Sequence, residues 1–218
     1  MQIADNIIKE KLKNVYFIWG SGKTTISNSI SKKYEDCFVY HTDNRMKHFE
    51  IADSKHQPAM CRKVDDYWTL DPDDARQWES QIVAEFTPMI IIDLVVLASH
   101  HKFVICEGDV DTDAIINVVS NMVVIANYGS SYDFFDRPDQ KHMLDGILSR
   151  TDLNDEEKQK RIENAYNIVG RNSGKNKTPE IPSETLKYGT QYIIRDDTTS
   201  VEETTNKVED YFDLKKYK

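Results

Sequence analysis

Short apolar segments alternate along the chain with longer stretches of helical period. Asn14-Val15-Tyr16-Phe17-Ile18-Trp19 is almost wholly apolar, as expected of a strand covered on both faces. Gly20-Ser21-Gly22 follows, and the spacing of Ile26 and Ile30 predicts a helix over 23–34. Residues 37–41 predict a second strand ending in Thr42-Asp43-Asn44, whereas 44–66 are polar with no clean period. Asp71-Pro72-Asp73-Asp74 predicts a helix start: a capping acid, proline in the first turn, then acids at the positive dipole end. That helix extends to about residue 100, with a kink expected at Pro88. Further strands are predicted at 102–106, closed by Glu107-Gly108, at 121–127 and at 191–194, and a last helix over 200–212. The polar stretch 130–176 predicts helices packed as a flap, and 170–182 a mobile surface loop.

This βαβα order predicts an α/β fold, a parallel sheet with helices on both faces. Right-handed crossovers then gather the C-terminal strand ends along one edge, where ligands bind. No repeat or linker interrupts the chain, so 1–218 is read as a single domain.

The length of 218 residues is ample for a hydrophobic core, and 10% aromatic content argues against disorder. Against 28 basic side chains stand 37 acidic ones, a net charge of −9. That balance argues against nucleic acid or an anionic membrane as the main partner. Cys37, Cys61 and Cys106 are odd in number, far apart and without CxxC spacing, which fits a reducing cytosol better than a disulfide framework or zinc site. Residues 1–13 lack a signal peptide's apolar stretch, and the longest apolar run, 89–98, contains Asp93 and is half the roughly 20 residues of a span. The expectation is a cytoplasmic protein.

The sharpest chemical signal is Gly20-Ser21-Gly22-Lys23-Thr24-Thr25 between a buried strand and a helix. Backbone N–H groups in such a turn, with the helix dipole, hold phosphate oxygens. Lysine reaches the β- and γ-phosphates, and the threonine hydroxyl binds Mg²⁺. The full motif puts its first glycine five residues before the Gly-Lys glycine, at 22 − 5 = 17, where this chain has Phe17. The loop is therefore shortened, with Trp19 where an open turn would begin, and fewer N–H groups can curl around phosphates.

With these residues, the chain resembles the P-loop small-molecule kinases of the nucleoside, nucleotide and shikimate kinase type. More closely, it is similar to bacterial nucleotide kinases without an assigned substrate. The resemblance rests on Val15–Ile18, Ser21–Thr25, Tyr40–Asp43, Gln57–Met60, Glu85-Phe86, Asp93-Leu94, Glu107-Gly108, Arg137-Pro138 and Val208–Phe212. It implies a P-loop three-layer sandwich, a five-stranded parallel sheet in order 2-3-1-4-5 with a helical lid at 130–176, and an acceptor-binding insertion at 44–76. It also implies ATP and Mg²⁺ as cofactors. Asp43 then stands where similar kinases orient or deprotonate an acceptor hydroxyl; the competing local reading is a helix cap. Glu107 falls at the Walker B position, beside Mg²⁺, though turn chemistry explains it nearly as well. Arg137 is the lid cation that would close over the transferred phosphoryl group, while Arg150 and Arg161 read as surface charges paired with nearby acids.

Arg45 and Arg62 are candidate grips for an anionic acceptor; Tyr67, Trp68 and Trp78 are candidate stacking surfaces or, on burial tendencies, core. The chain departs from the group at His41, where some relatives carry a second acid, at Asp71, and at Ile168. The expected function is ATP-dependent phosphoryl transfer to a small hydroxyl acceptor that is nucleoside-, sugar- or antibiotic-like. The alternatives are a nucleotide kinase and a degenerate P-loop protein that acts through protein partners. Oligomeric state is not legible.

Overall fold

The apolar segments pair side by side and in parallel in a computed structural model, which describes residues 2–44, 46–127, 135, 140–169, 191–196 and 198–218. Strands β1 (Val15–Gly20), β2 (Cys37–His41), β3 (Phe103–Glu107), β4 (Asn121–Asn127) and β5 (Gln191–Arg195) form one sheet in the order β2-β3-β1-β4-β5. Every pairing is parallel, as expected, with Phe17 opposite Cys106 and Ile18 opposite Val123. Helix α1 (Gln2–Lys11) precedes β1, and α2 (Lys23–Ser31) joins β1 to β2. Between β2 and β3 lie α3 (Met46–Ile51), α4 (Pro58–Cys61) and α5 (Pro72–His100). Helix α6 (Thr112–Ile116) precedes β4, α7 (Lys141–Leu148) and α8 (Asp155–Val169) precede β5, and α9 (Val201–Tyr211) follows it.

Side chains alternate across each strand and build two cores. Val15, Phe17, Val104, Cys106, Met122 and Val124 face Phe86, Ile90 and Leu94 of α5. Tyr16, Ile18, Ile105, Val123, Ile125 and Ile193 face Ile26 and Ile30 of α2 and Val208 of α9. Each of the valine, isoleucine, leucine, methionine and phenylalanine side chains among them, once buried, stabilises the fold by about 1.5–3 kcal/mol. Cys106 is fully buried, as expected, and burial, with Glu107 next to it, pushes its thiol well up.

The long helix starts where its sequence predicts: Asp71 accepts from the backbone N–H groups of Asp73 (2.9 Å) and Asp74 (3.3 Å). It runs 29 residues, continuous through Pro88. By length and composition alone α5 could cross a membrane, yet Trp78, Ile82, Phe86, Ile90 and Leu94 bury one face of it.

The unpatterned stretch 44–66 holds two short helices fixed by α5. Glu85 accepts from the N–H groups of Ala59 (3.0 Å) and Met60 (2.9 Å), capping α4. Asp93 accepts from Tyr40 Oη (2.7 Å), Lys47 Nζ (3.0 Å) and His48 Nε2 (3.1 Å). Helices α7 and α8 dock on the turn at Tyr67–Thr69, around Phe135, Ile147, Ala165 and Trp68. There Asp66 accepts from Arg150 Nη1 and Arg161 Nε, both at 2.7 Å. Arg150 also holds Asp152, the sort of neighbour expected, but Asp66 is the acid that both arginines share.

Candidate functional site

Side-chain alternation decides what reaches the first turn of α2. Ile105 and Ile193 lie on the α2 face of the sheet, so Glu107 and Arg195, two residues further along, take the same face at the ends of β3 and β5. Cys37 packs against that face, and His41, four residues on, ends β2 there too.

Strand β1 runs to Gly20 and α2 begins at Lys23, which leaves Ser21 and Gly22 between them. The turn is tight because Gly20 pairs with Ile125: a Cβ there would collide with the Ile125 carbonyl oxygen. Ser21 N–H donates to that same oxygen at 2.9 Å, so one amide of the expected cradle is taken by the sheet. Gly22 caps α2 in the left-handed region, φ +75°, with no side-chain cap. The N–H groups of Lys23, Thr24 and Thr25, in the helix's first turn, lack intrahelical acceptors. The Lys23 side chain is half-buried and forms no ion pair or hydrogen bond among the described residues.

Thr24 Oγ1 donates to Glu107 Oε1 at 3.0 Å, and His41 Nδ1 meets that oxygen at 2.5 Å. Glu107 is 1% exposed, and its other oxygen, Oε2, is buried with no partner among the described residues. An orphaned carboxylate oxygen beside a threonine hydroxyl fits a hard, oxygen-seeking cation. No group of three or more His, Cys, Asp or Glu among the described residues could hold a metal ion, so a cation here would depend on few protein ligands. Mg²⁺ is commonly bound in that way, with phosphates and water completing its shell.

Thr42 N–H donates to the Glu107 carbonyl at 2.9 Å, and its hydroxyl to the Asp109 carbonyl at 3.2 Å. Asp43 follows at the same sheet edge, exposed. Arg137 and Arg45 lie outside the described residues, as does the loop expected at 170–182. The structure thus brings Gly20–Thr25 to Glu107, and puts Asp43 along the edge from them.

A cleft of about 460 Å³ opens on the other face, between Trp19, Glu79, Ser80, Val83 and Ala84 of α5, and Asp109–Asp111. Burial, with Glu79 beside it, pushes the Tyr67 phenol up to about 12. Trp78 is core: it is buried, its Nε1 donates to the Ala59 carbonyl at 2.9 Å, and the Arg62 guanidinium lies 4.9 Å from its ring. Sequence reasoning missed Arg195, whose Nη1 lies 2.7 Å from where a Gly22 Cβ would stand. The available signal was an arginine two residues after a buried isoleucine at a strand end. No family model and no curated protein matches the chain.

Proposed function

We propose that this chain is a P-loop phosphotransferase that moves the γ-phosphoryl group of ATP, with Mg²⁺, to a hydroxyl of a small molecule. The observation that carries the reading is the buried Glu107 carboxyl bonded to Thr24, one residue past Lys23 in the first turn of α2. Lys23 and the open N–H groups of the first turn bind phosphate oxygens and hold the chain of phosphates in place. Thr24 and Glu107 are the residues that would hold Mg²⁺, which when bound neutralises charge on those oxygens. Asp43 accepts the proton of the attacking hydroxyl, and Arg137 supplies positive charge from the segment after β4.

The cleft beside Trp19 suits the acceptor. Its lining carries Glu79, Asp109 and Asp111 and no cation among the described residues, which favours a neutral or amine-bearing hydroxyl compound over a nucleotide's phosphate. A second reading, a degenerate P-loop protein working through protein partners, draws support from two observations. Ser21 N–H is committed to Ile125, and His41 occupies the oxygen of Glu107 that Thr24 also uses. The test is ADP release across a panel of neutral and aminated polyols and nucleosides. Turnover abolished by Asp43→Asn, with ATP binding retained, supports the kinase; no turnover with any acceptor favours the degenerate protein.

A further inference from the structure

We infer that Arg195 is a phosphate-binding side chain of this site, reaching from β5 to supply the grip that the two-residue turn between β1 and α2 lacks. The inference rests on the nucleotide-binding reading above and adds a residue outside its motif. Strand alternation from Ile193 sends Arg195 to the α2 face, and its guanidinium lies against Gly22 at the N-terminus of α2. It is half-buried, yet takes part in no ion pair, hydrogen bond or ring contact among the described residues. The adjacent acid does not pair with it: Asp196 Oδ1 accepts from the N–H groups and hydroxyls of Thr198 and Thr199, at 2.7–3.0 Å.

Electrostatics make this arrangement informative. Arg195 lies at Gly22, where the positive end of α2 begins with Lys23, on a chain of net charge −9, and neither side chain has an acidic partner among the described residues. Like charges brought together at a half-buried site repel unless an anion joins them. Glu107 is no such anion: its carboxylate bonds to Thr24 and His41, and it pairs with neither Lys23 nor Arg195 among the described residues. Its Oε2, buried and without a partner among the described residues, independently points to a cation carried with the anion. A polyphosphate with a divalent cation satisfies both demands at once. Arginine's planar fork suits phosphate, giving two parallel bonds where lysine gives a point charge. A side chain at position 22 would stand where the guanidinium lies, so glycine there keeps the route from β5 open.

The test is calorimetric titration of inorganic tripolyphosphate and of ATP, each with Mg²⁺, into the wild-type chain, Arg195→Ala, Arg195→Lys and Lys23→Ala. Arg195→Ala should weaken both ligands by about tenfold to a hundredfold, as loss of a charge-assisted contact does. Arg195→Lys should recover only part of the loss. Thermal unfolding of the free variants checks folding, and Arg195→Gln takes the place of the alanine variant if that one fails to fold. Arg195→Ala within twofold of wild type, while Lys23→Ala loses tripolyphosphate, overturns the inference and leaves the nucleotide-binding reading standing. Loss of ATP affinity with tripolyphosphate unchanged also overturns it, because Arg195 then reads the base. A wild type that binds neither ligand overturns both.

Discussion

Replacing Gly22 with alanine tests how α2 begins. Gly22 sits at φ +75°, where a Cβ meets its own backbone, and a left-handed residue other than glycine costs roughly 1–2 kcal/mol. The contact at 2.7 Å is with Nη1, the far end of a flexible side chain, so Arg195 can swing aside and adds little to that cost. For a chain of this size each kcal/mol shifts Tm by about 2–4 °C, so Gly22→Ala should lower Tm by about 2–8 °C. Urea unfolding with an unchanged m value would assign the loss to stability rather than to a different unfolded state. The double variant Gly22→Ala/Arg195→Ala should cost the sum of the singles to within about 0.5 kcal/mol, because a guanidinium that swings aside contributes little. A loss under about 0.5 kcal/mol would refute the left-handed cap, being within the range of an ordinary surface substitution. A coupling well above about 0.5 kcal/mol would refute an Arg195 side chain free to swing aside.

Three further outcomes follow from the packing. Asp93→Leu removes the acceptor of Tyr40, Lys47 and buried His48, and should cost about 2–3 kcal/mol in urea unfolding. Burial favours the neutral form of Asp93, but the bonds from Tyr40 and Lys47 outweigh it, so Asp93→Asn should cost less than leucine yet still be measurable. Glu85→Ala uncaps α4 and should cost about 1–2 kcal/mol, with amide exchange rising first at Ala59 and Met60. Asp66 governs acid sensitivity: burial opposes its charge, but Arg161 and Arg150 prevail and hold it below the usual carboxylate range. A depressed carboxylate stabilises the fold above its unfolded pKa, about 3.9, and loses that contribution as pH falls through its lower folded value. Below about pH 4, protease cleavage in α7 and α8 should therefore rise, and Asp66→Asn should show the same susceptibility at pH 7. Cleavage that is independent of pH in the wild type contradicts that account.

The strands were legible because each carries a short apolar block, buried throughout in β3 and over most of β1, and β4 spans the residues its pattern predicts. The start of α5 was legible because Asp71 and Pro72 act locally. Helices α3 and α4 were not, since helices of six and four residues are too short for a period and owe their place to Asp93 and Glu85, which lie far along the chain. Those two acids belong to the family resemblance, and in the structure each fixes a neighbouring helix. At the site, Gly20–Thr25 announced itself by its own sequence and Glu107 by its strand-end position. Arg195 did not, because its meaning comes from the register that carries β4 and β5 alongside Gly20.

On the proposed reading, the first turn of α2 binds a nucleoside triphosphate with Mg²⁺ despite its shortened loop. Isothermal titration of Mg-ATP into the wild type and Lys23→Ala tests it most directly. Saturable, micromolar-range binding is expected, abolished by Lys23→Ala and weakened by omission of Mg²⁺. Identical traces without heat from both proteins would contradict it.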